Sequence, residues 1–201
     1  MDKQEWCKMK SVIISMKPHW WLILGGKKTI EVRKTRPKIK TPFKCYVYCT
    51  KESNSHNTLG ECGNGKIVGE FICDAIREYY PLNLQDMINK PYGDEIENSS
   101  CMTAKQITDY AWNGFGYGKL YGWHISALKV YEKPRELSEF YTFCDKCDES
   151  PIKCEYCYEE ISENGYYSEC GCDFKRPIKR PPQSWCYVEE PQDSNGVTNA
   201  W

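Results

Sequence analysis

The sequence predicts an α+β protein: a mixed β-barrel with short flanking helices and a small cysteine-rich, zinc-binding insertion. Three observations carry this expectation. Short runs that alternate apolar and polar residues recur along most of the chain, as half-buried strands do. Only short stretches between them have helical spacing. Six cysteines then fall within residues 144–172, in a segment with almost no large aliphatic residues. The barrel is expected over residues 1–143 plus 173–201, with about five or six strands, and the insertion over 144–172.

The fold is expected to begin at Ser11 to Arg33, read as strand, short helix, strand. Val12 to Ser15 is a β-branched apolar run that suits a buried strand. Pro18 stands where the first turn of a helix favours it, and Gly25 with Gly26 can end that helix in the left-handed region. Thr29 to Arg33 alternates, so Ile30 and Val32 share one face and Thr29, Glu31 and Arg33 the other. Glu31 and Arg33 are then same-face neighbours, roughly 7 Å apart along the strand. Lys17 opens the helix and Lys28 precedes the second strand. Lysines beside a helix N-terminus suit an anion.

The following elements are read in order. Phe43 to Thr50 alternates, with Cys45, Val47 and Cys49 on one face and Tyr46 and Tyr48 on the other. Free cysteines of this kind are commonly small core residues. Residues 51–65 are polar and glycine-rich, a loop that contains His56 and Cys62. Lys66 to Tyr79 is the longest strand, with Ile67, Phe71 and Cys73 in one alternating set and Gly69 marking a bulge or a close backbone approach. A long connection over 81–102 has one helical turn. Thr103 to Trp112 reads as a helix with Thr103 as N-cap and Ile107, Tyr110 and Ala111 on one side. Asn113 to Gly118 is a glycine-aromatic loop whose spacing does not match a phosphate-cradling loop. Lys119 to Tyr131 is a strand, Leu137 to Tyr141 a helical turn, and Trp185 to Glu189 the closing strand.

Composition limits the function classes. The chain has 201 residues, 40% hydrophobic and 27% charged, ordinary for a globular protein. Its apolar runs are far shorter than a membrane span, so no membrane partner is expected. The charged N-terminus lacks a signal-peptide core, which points to a cytoplasmic protein. Its 13 cysteines are then reduced thiols or metal ligands rather than a disulfide framework. Net charge is -1, but residues 1–40 carry eleven Lys and Arg against Asp2, Glu5 and Glu31. A basic end of this kind can steer a polyanion to one surface, or simply keep the protein soluble.

Gly26, Lys28, Glu31 and Arg33 stand at the spacing G-x-K-x-x-E-x-R, just after the short helix. This motif resembles the signature of the ASCH domain, a β-barrel family related to PUA. Gly65-Lys66-Ile67-Val68-Gly69-Glu70, Gly122-Trp123-His124-Ile125-Ser126 and Arg180-Pro181-Pro182-Gln183-Ser184-Trp185 fit the same resemblance. It covers most of the chain apart from the cysteine-rich segment. It implies a PUA-like mixed barrel, an RNA-binding function and a bacterial or phage type of protein. Some ASCH relatives are amidohydrolases acting on an acetylated cytidine through a lysine and a threonine of this motif. Lys28 matches that lysine. Glu31 occupies the threonine position, with Thr29 two residues earlier, and this departure weakens the amidohydrolase expectation.

The cysteine-rich segment contains Cys144, Cys147, Cys154, Cys157, Cys170 and Cys172, as two C-x-x-C pairs and one C-x-C. Two thiolates of such a turn can reach one tetrahedral zinc ion at about 2.3 Å. Four of the six suffice for a structural zinc. The set is either Cys144, Cys147, Cys154 and Cys157, or Cys154 and Cys157 with Cys170 and Cys172 across a hairpin turned at Asn164-Gly165. Free thiols are the plain alternative. Residues 141–172 also carry eight acids against Lys146 and Lys153. That charge suits a protein partner better than nucleic-acid phosphate.

The candidate nucleic-acid-binding set is Lys17, Lys28, Glu31, Arg33, Trp123, His124, Gln183 and Trp185. Lysine and arginine meet phosphate, tryptophan stacks a base, and Gln or Glu bonds a base edge. Single-stranded RNA or a nucleotide is the expected partner, because bases must be splayed out to be read this way. A hydrolase is the second expectation, either a ribonuclease or an amidohydrolase, with Lys28, Glu31 and His124 as catalytic candidates. A protein-interaction module using the acidic insertion is the third. Each residue has a duller account. Glu31 and Arg33 could form an exposed ion pair worth at most about 1 kcal/mol. Trp123 and His124 could be core residues, and Gln183 could cap a turn.

Overall fold

The computed structural model describes residues 11–16, 21–24, 26–51, 65–81, 92–143 and 175–189. The first strand, β1 (Ser11–Met16), is followed by a single helical turn, α1 (Trp21–Leu24), and by β2 (Ile30–Arg33). The chain continues through β3 (Phe43–Cys49), β4 (Ile67–Cys73) and β5 (Ile76–Tyr79). Helices α2 (Asp94–Ser100) and α3 (Ala104–Ala111) precede β6 (Leu120–His124) and β7 (Ser126–Arg135). A 3-10 turn at Leu137–Glu139, then β8 (Tyr141–Phe143), β9 (Lys175–Pro177) and β10 (Trp185–Val188), complete the described elements.

The strands form a five-stranded sheet in the order β10-β1-β3-β4-β7, a three-stranded sheet in the order β2-β6-β5, and a β8–β9 ribbon. β1 and β3 pair in parallel, whereas their other partners are antiparallel, so the larger sheet is mixed. The expected barrel of five or six strands is thus built from more and shorter strands, arranged as two sheets across one core. Two bends cause the division. The run from Lys66 to Tyr79 breaks at Asp74 and Ala75, and the run from Lys119 to Tyr131 breaks at Ile125. At the second bend Ala127 takes a φ of +46°. Each bend sends the chain from one sheet to the other, where the amide of His124 donates to Ala75 O at 2.9 Å.

Alternation in the strands sorts their side chains into separate cores. Val12, Ile14, Phe43, Cys45, Val47, Cys49, Phe71, Cys73 and Trp123 meet between the two sheets. Ile13, Tyr46 and Tyr48 point the other way, onto Leu137, Phe140 and Ile178. β1 and β3 are therefore buried on both faces, which explains why β1 lacks the polar alternation of a half-exposed strand. On the outer face of the small sheet, Ile30, Val32, Tyr79 and Leu120 pack against Ile96 of α2 and Ile107 and Ala111 of α3. α3 has the expected cap: Thr103 Oγ1 accepts from the Gln106 amide, and the Gln106 side chain accepts from the Thr103 amide.

β4 does not keep one alternating set. Its pairing with β3 slips beside Val47, and its pairing with β7 slips between Ile67 and Gly69. Ile67 consequently faces the outer core, while Val68, Phe71 and Cys73 face the inner one. Gly69 sits at the slip, where a Cβ would lie 2.5 Å from the Lys129 carbonyl oxygen. That neighbour is backbone of the paired strand and cannot turn aside. The cysteines Cys144 to Cys172, Lys17, His19 and the loop with His56 and Cys62 lie outside the described residues. Among the described residues, no helix is long and apolar enough to cross a membrane.

Gly69→Ala is expected to lower stability by roughly 1–3 kcal/mol, because β4 and β7 must separate to admit the methyl group. Urea denaturation checks it: the midpoint should fall, and an unchanged midpoint would mean the two backbones can part freely.

Candidate nucleic-acid interface

β2 and β6 place the central side chains. Glu31 pairs with Trp123 and Arg33 with Tyr121 across the antiparallel ladder, so all four share one face of the small sheet. That face looks into the protein. The opposite face, with Ile30 and Val32, is covered by α2 and α3. β2 is buried along its whole length, and Glu31 and Arg33 are 8% and 7% exposed. An alternating strand at the surface would show its polar face to water. Here apolar helices take one side and the five-stranded sheet takes the other, so the polar face becomes the interior one.

The buried charges form a cluster. Arg33 Nη2 lies 2.8 Å from Glu31 Oε1, and Lys28 Nζ lies 2.7 Å from Glu31 Oε2. Arg33 Nη2 also donates to Ser15 O at 2.5 Å, and Nη1 reaches Ser184 Oγ at 3.4 Å. Ser15 is tied in turn to the segment before β10. Its amide donates to Ser184 O at 2.9 Å and its hydroxyl to Pro182 O at 2.6 Å. Burial pushes the Glu31 carboxyl up, but the Arg33 and Lys28 cations outweigh it and hold the group below its ordinary value. Glu31 is therefore a carboxylate at neutral pH, and among the described residues the cluster keeps one positive charge in excess.

Three buried polar atoms of this face lack a directed hydrogen-bond partner: Glu31 Oε2, Arg33 Nε and Trp123 Nε1. The Lys28 ammonium, 2.7 Å from Oε2, supplies the opposite charge there, so Arg33 Nε and Trp123 Nε1 are the two atoms left without a counterpart among the described residues. An unsatisfied buried polar group costs about 1–3 kcal/mol, and such groups in a folded protein call for an explanation.

The structure brings Lys28, Glu31, Arg33, Trp123 and Trp185 together. The Trp123 and Trp185 rings are 5.9 Å apart and tilted by 58°. Trp185 Nε1 donates to Thr35 Oγ1 at 2.9 Å, and Gln183 is exposed beside Ser184. Trp123 is wholly buried, so it is a core residue and offers no stacking surface. His124 is not brought to the cluster. It pairs with Ile30, facing away from Glu31 and Trp123, and its Nδ1 lies 2.6 Å from Asp74 Oδ1 at the β4–β5 bend. That hydrogen bond holds the Asp74 carboxyl below its ordinary range. Lys17 lies outside the described residues. Thr29 directs its hydroxyl to Ser99 O at 3.5 Å, toward α2.

Ser15 and Asp74 escaped notice in the sequence. A serine inside the apolar run of β1 was the available signal for Ser15, whereas Asp74 gave none, because its role depends on a bend. The core thiols behave as apolar residues: burial pushes Cys45 well above its ordinary value and Cys73 up to about 12. Among the described residues, no group of three or more His, Cys, Asp or Glu could hold a metal ion.

The mixed sheet and short helices make an α+β fold that is shared with solved ASCH structures. The crystal structure of ASCH from Zymomonas mobilis is similar to this chain with a TM-score of 0.51 at 18% identity, over 90% of this chain and 89% of that one. A tyrosine-to-phenylalanine variant of that protein is similar with a TM-score of 0.50 at 18% identity, over 90% of this chain and 92% of its own. A serine-to-alanine variant also gives a TM-score of 0.50, at 17% identity and 90% coverage of both chains. No protein-family model and no curated protein matches the chain.

The lowered Glu31 carboxyl has a pH signature. Its contribution to stability is complete above the ordinary value of 4.5 and is lost as pH falls through the lower folded value. Glu31→Gln leaves the buried Arg33 and the half-buried Lys28 without their carboxylate, so it should cost about 3–5 kcal/mol near pH 7. The gap to the parent protein should narrow in acid below about pH 4.5. Denaturation curves across pH check both, and a pH-independent gap would mean the carboxylate charge contributes nothing.

Proposed function

We propose that this chain binds RNA or a nucleotide, with the anion or base edge meeting the Lys28–Glu31–Arg33 cluster at its Lys28 rim. The observation that supports the reading is the cation left in excess in this cluster among the described residues. Arg33 and Lys28 share one carboxylate in a place where unpaired charge is costly, so an incoming phosphate completes the balance. Lys28 is the accessible member, with 17% of its side chain exposed. The neighbouring sequence adds to it: residues 26–44 hold six further Lys and Arg and no further acid. The fold likeness to an ASCH protein is in keeping with this reading. Single-stranded RNA is favoured over duplex, because its bases are free to meet protein groups.

Two placements favour binding over hydrolysis. Glu31 is held ionised, and His124 stands on the other face with Asp74. Among the described residues, Glu31 is thus committed to its cations and no histidine stands beside Lys28 to exchange a proton with it.

Lys28→Ala is the variant that tests the site, since Arg33 also holds the two sheets together through Ser15. Anisotropy of a labelled single-stranded RNA dodecamer, titrated across a salt series, should show binding that weakens steeply with salt. Lys28→Ala should reduce the slope of log affinity against log salt by about 0.7–1. A slope and affinity equal to the parent's would remove Lys28 from the interface and sink the proposal.

We propose in addition that four of Cys144, Cys147, Cys154, Cys157, Cys170 and Cys172 hold a structural zinc ion, on the strength of their paired spacing. The same acidic segment suits a basic protein partner rather than phosphate. Elemental analysis of the purified chain should find one zinc per molecule, and a chelator should lower the melting temperature. All six thiols reacting freely in the native protein, with no zinc present, would reject the zinc site.

A further inference from the structure

A fully exposed phenylalanine is the least expected feature of the surface. Phe115 is 100% exposed, and Trp112 and Tyr80 are 48% and 60% exposed. Phe115 does not stand on a loose loop. Asn113 Oδ1 accepts from the Phe115 and Gly116 amides at 3.0 Å each, and the Asn113 amide donates to Gly116 O at 3.1 Å. Gly114 takes a φ of +95° to make the turn. The turn is tied to the body by the Gly118 amide, which donates to Ala111 O at 3.2 Å, and by Tyr92, whose hydroxyl donates to Gly118 O at 2.6 Å. Trp112 and Tyr117 bridge its base, their rings edge to face at 5.3 Å. The fold thus holds an apolar ring in water on a fixed support, where it contributes nothing to the core.

Cations surround this turn. Lys34, the residue after Arg33, donates to Trp112 O at 3.2 Å and lies over the Tyr110 ring at 5.3 Å. Lys119, just past the turn, lies 4.9 Å from the Tyr121 ring centroid and 5.3 Å from that of Tyr80, but it is paired with Glu78 Oε2 at 3.1 Å, so Lys34 is the cation the turn offers. Lys34 follows β2 directly, so it ties the turn to the far end of the strand whose other end carries Lys28. A self-association through this patch would set its lysines against those of a second copy. A polyanion with flat apolar groups meets both features at once: its phosphates suit the lysines and its bases suit the rings.

We infer that the Trp112–Gly118 turn is a stacking platform for a base of single-stranded RNA, with Phe115 as its outer ring and Lys34 as the phosphate contact beside it. This rests on the RNA-binding reading and extends it to a second point of contact. Lys28 and Lys34 are separated by β2, roughly 20 Å of extended chain, so a platform beside Lys34 favours a strand of several nucleotides. A preformed turn also spares the ordering cost that a mobile loop would incur on binding.

The test compares the parent protein with Phe115→Ala, Phe115→Leu and Phe115→Tyr, using a labelled single-stranded RNA dodecamer and its duplex. Phe115→Ala and Phe115→Leu should each weaken single-strand binding about 5- to 100-fold and Phe115→Tyr should retain it. The melting temperature and the salt slope should not change, since the ring neither packs nor neutralises phosphate. Parent and Phe115→Ala binding alike would overturn the platform while leaving the cluster proposal standing. Phe115→Leu binding like the parent would replace stacking by plain apolar contact and overturn it too. A parent protein that binds no RNA overturns both readings. A parent dimer that Phe115→Ala converts to monomer would assign the ring to a second copy instead.

Discussion

The Arg33 guanidinium holds the two sheets of this protein together. It rises from the small sheet, meets Glu31 beside it, and crosses the core to the Ser15 carbonyl of the large sheet. Ser15 then anchors the segment that leads into β10. An arginine suits this place because its planar fork can meet a carboxylate and a carbonyl together, and it stays charged when buried. The ionised Glu31 offsets the cost of burying it, and Arg33 and Lys28 in turn hold the Glu31 carboxyl below its ordinary value against the effect of burial. Packing, charge and register are coupled at this point, so a change in any of them is felt by the other two.

The same coupling gives the site its character. Two cations and one carboxylate leave a positive excess, and that excess sits at the edge of a strongly basic stretch of chain. The aromatic turn after α3 is a separate feature. That turn is held by its own hydrogen bonds and by Tyr92, not by burial of Phe115. Inner cluster and outer turn therefore differ in kind. One is buried and bound up with stability, whereas the other is exposed and free of it. A surface that separates these two demands can change its ligand contacts without loosening its core.

Much of the architecture was legible in local patterns. The alternation of Phe43 to Cys49 correctly divided cysteines and valine from tyrosines, and Thr103 with Gln106 marked the start of α3. Gly69 was readable as a place of close backbone approach. The long runs at Lys66 to Tyr79 and Lys119 to Tyr131 were read as single strands because their composition stays strand-like through the bends. A bend is decided by which sheet each half joins, and that is a property of distant partners.

Local spacing in the chain determined that Glu31 and Arg33 share a face, that Lys28 lies near them, and that short strands and small helices alternate. These follow from the period of a strand and the chemistry of caps and turns, which need only neighbouring residues. Which face of β2 turns inward could not follow from that period, since alternation is the same seen from either side. Only α2 and α3, covering Ile30 and Val32, made the charged face the interior one. Tertiary structure likewise turned His124 toward Asp74 and Trp123 into the core, because adjacent residues on a strand must face opposite ways.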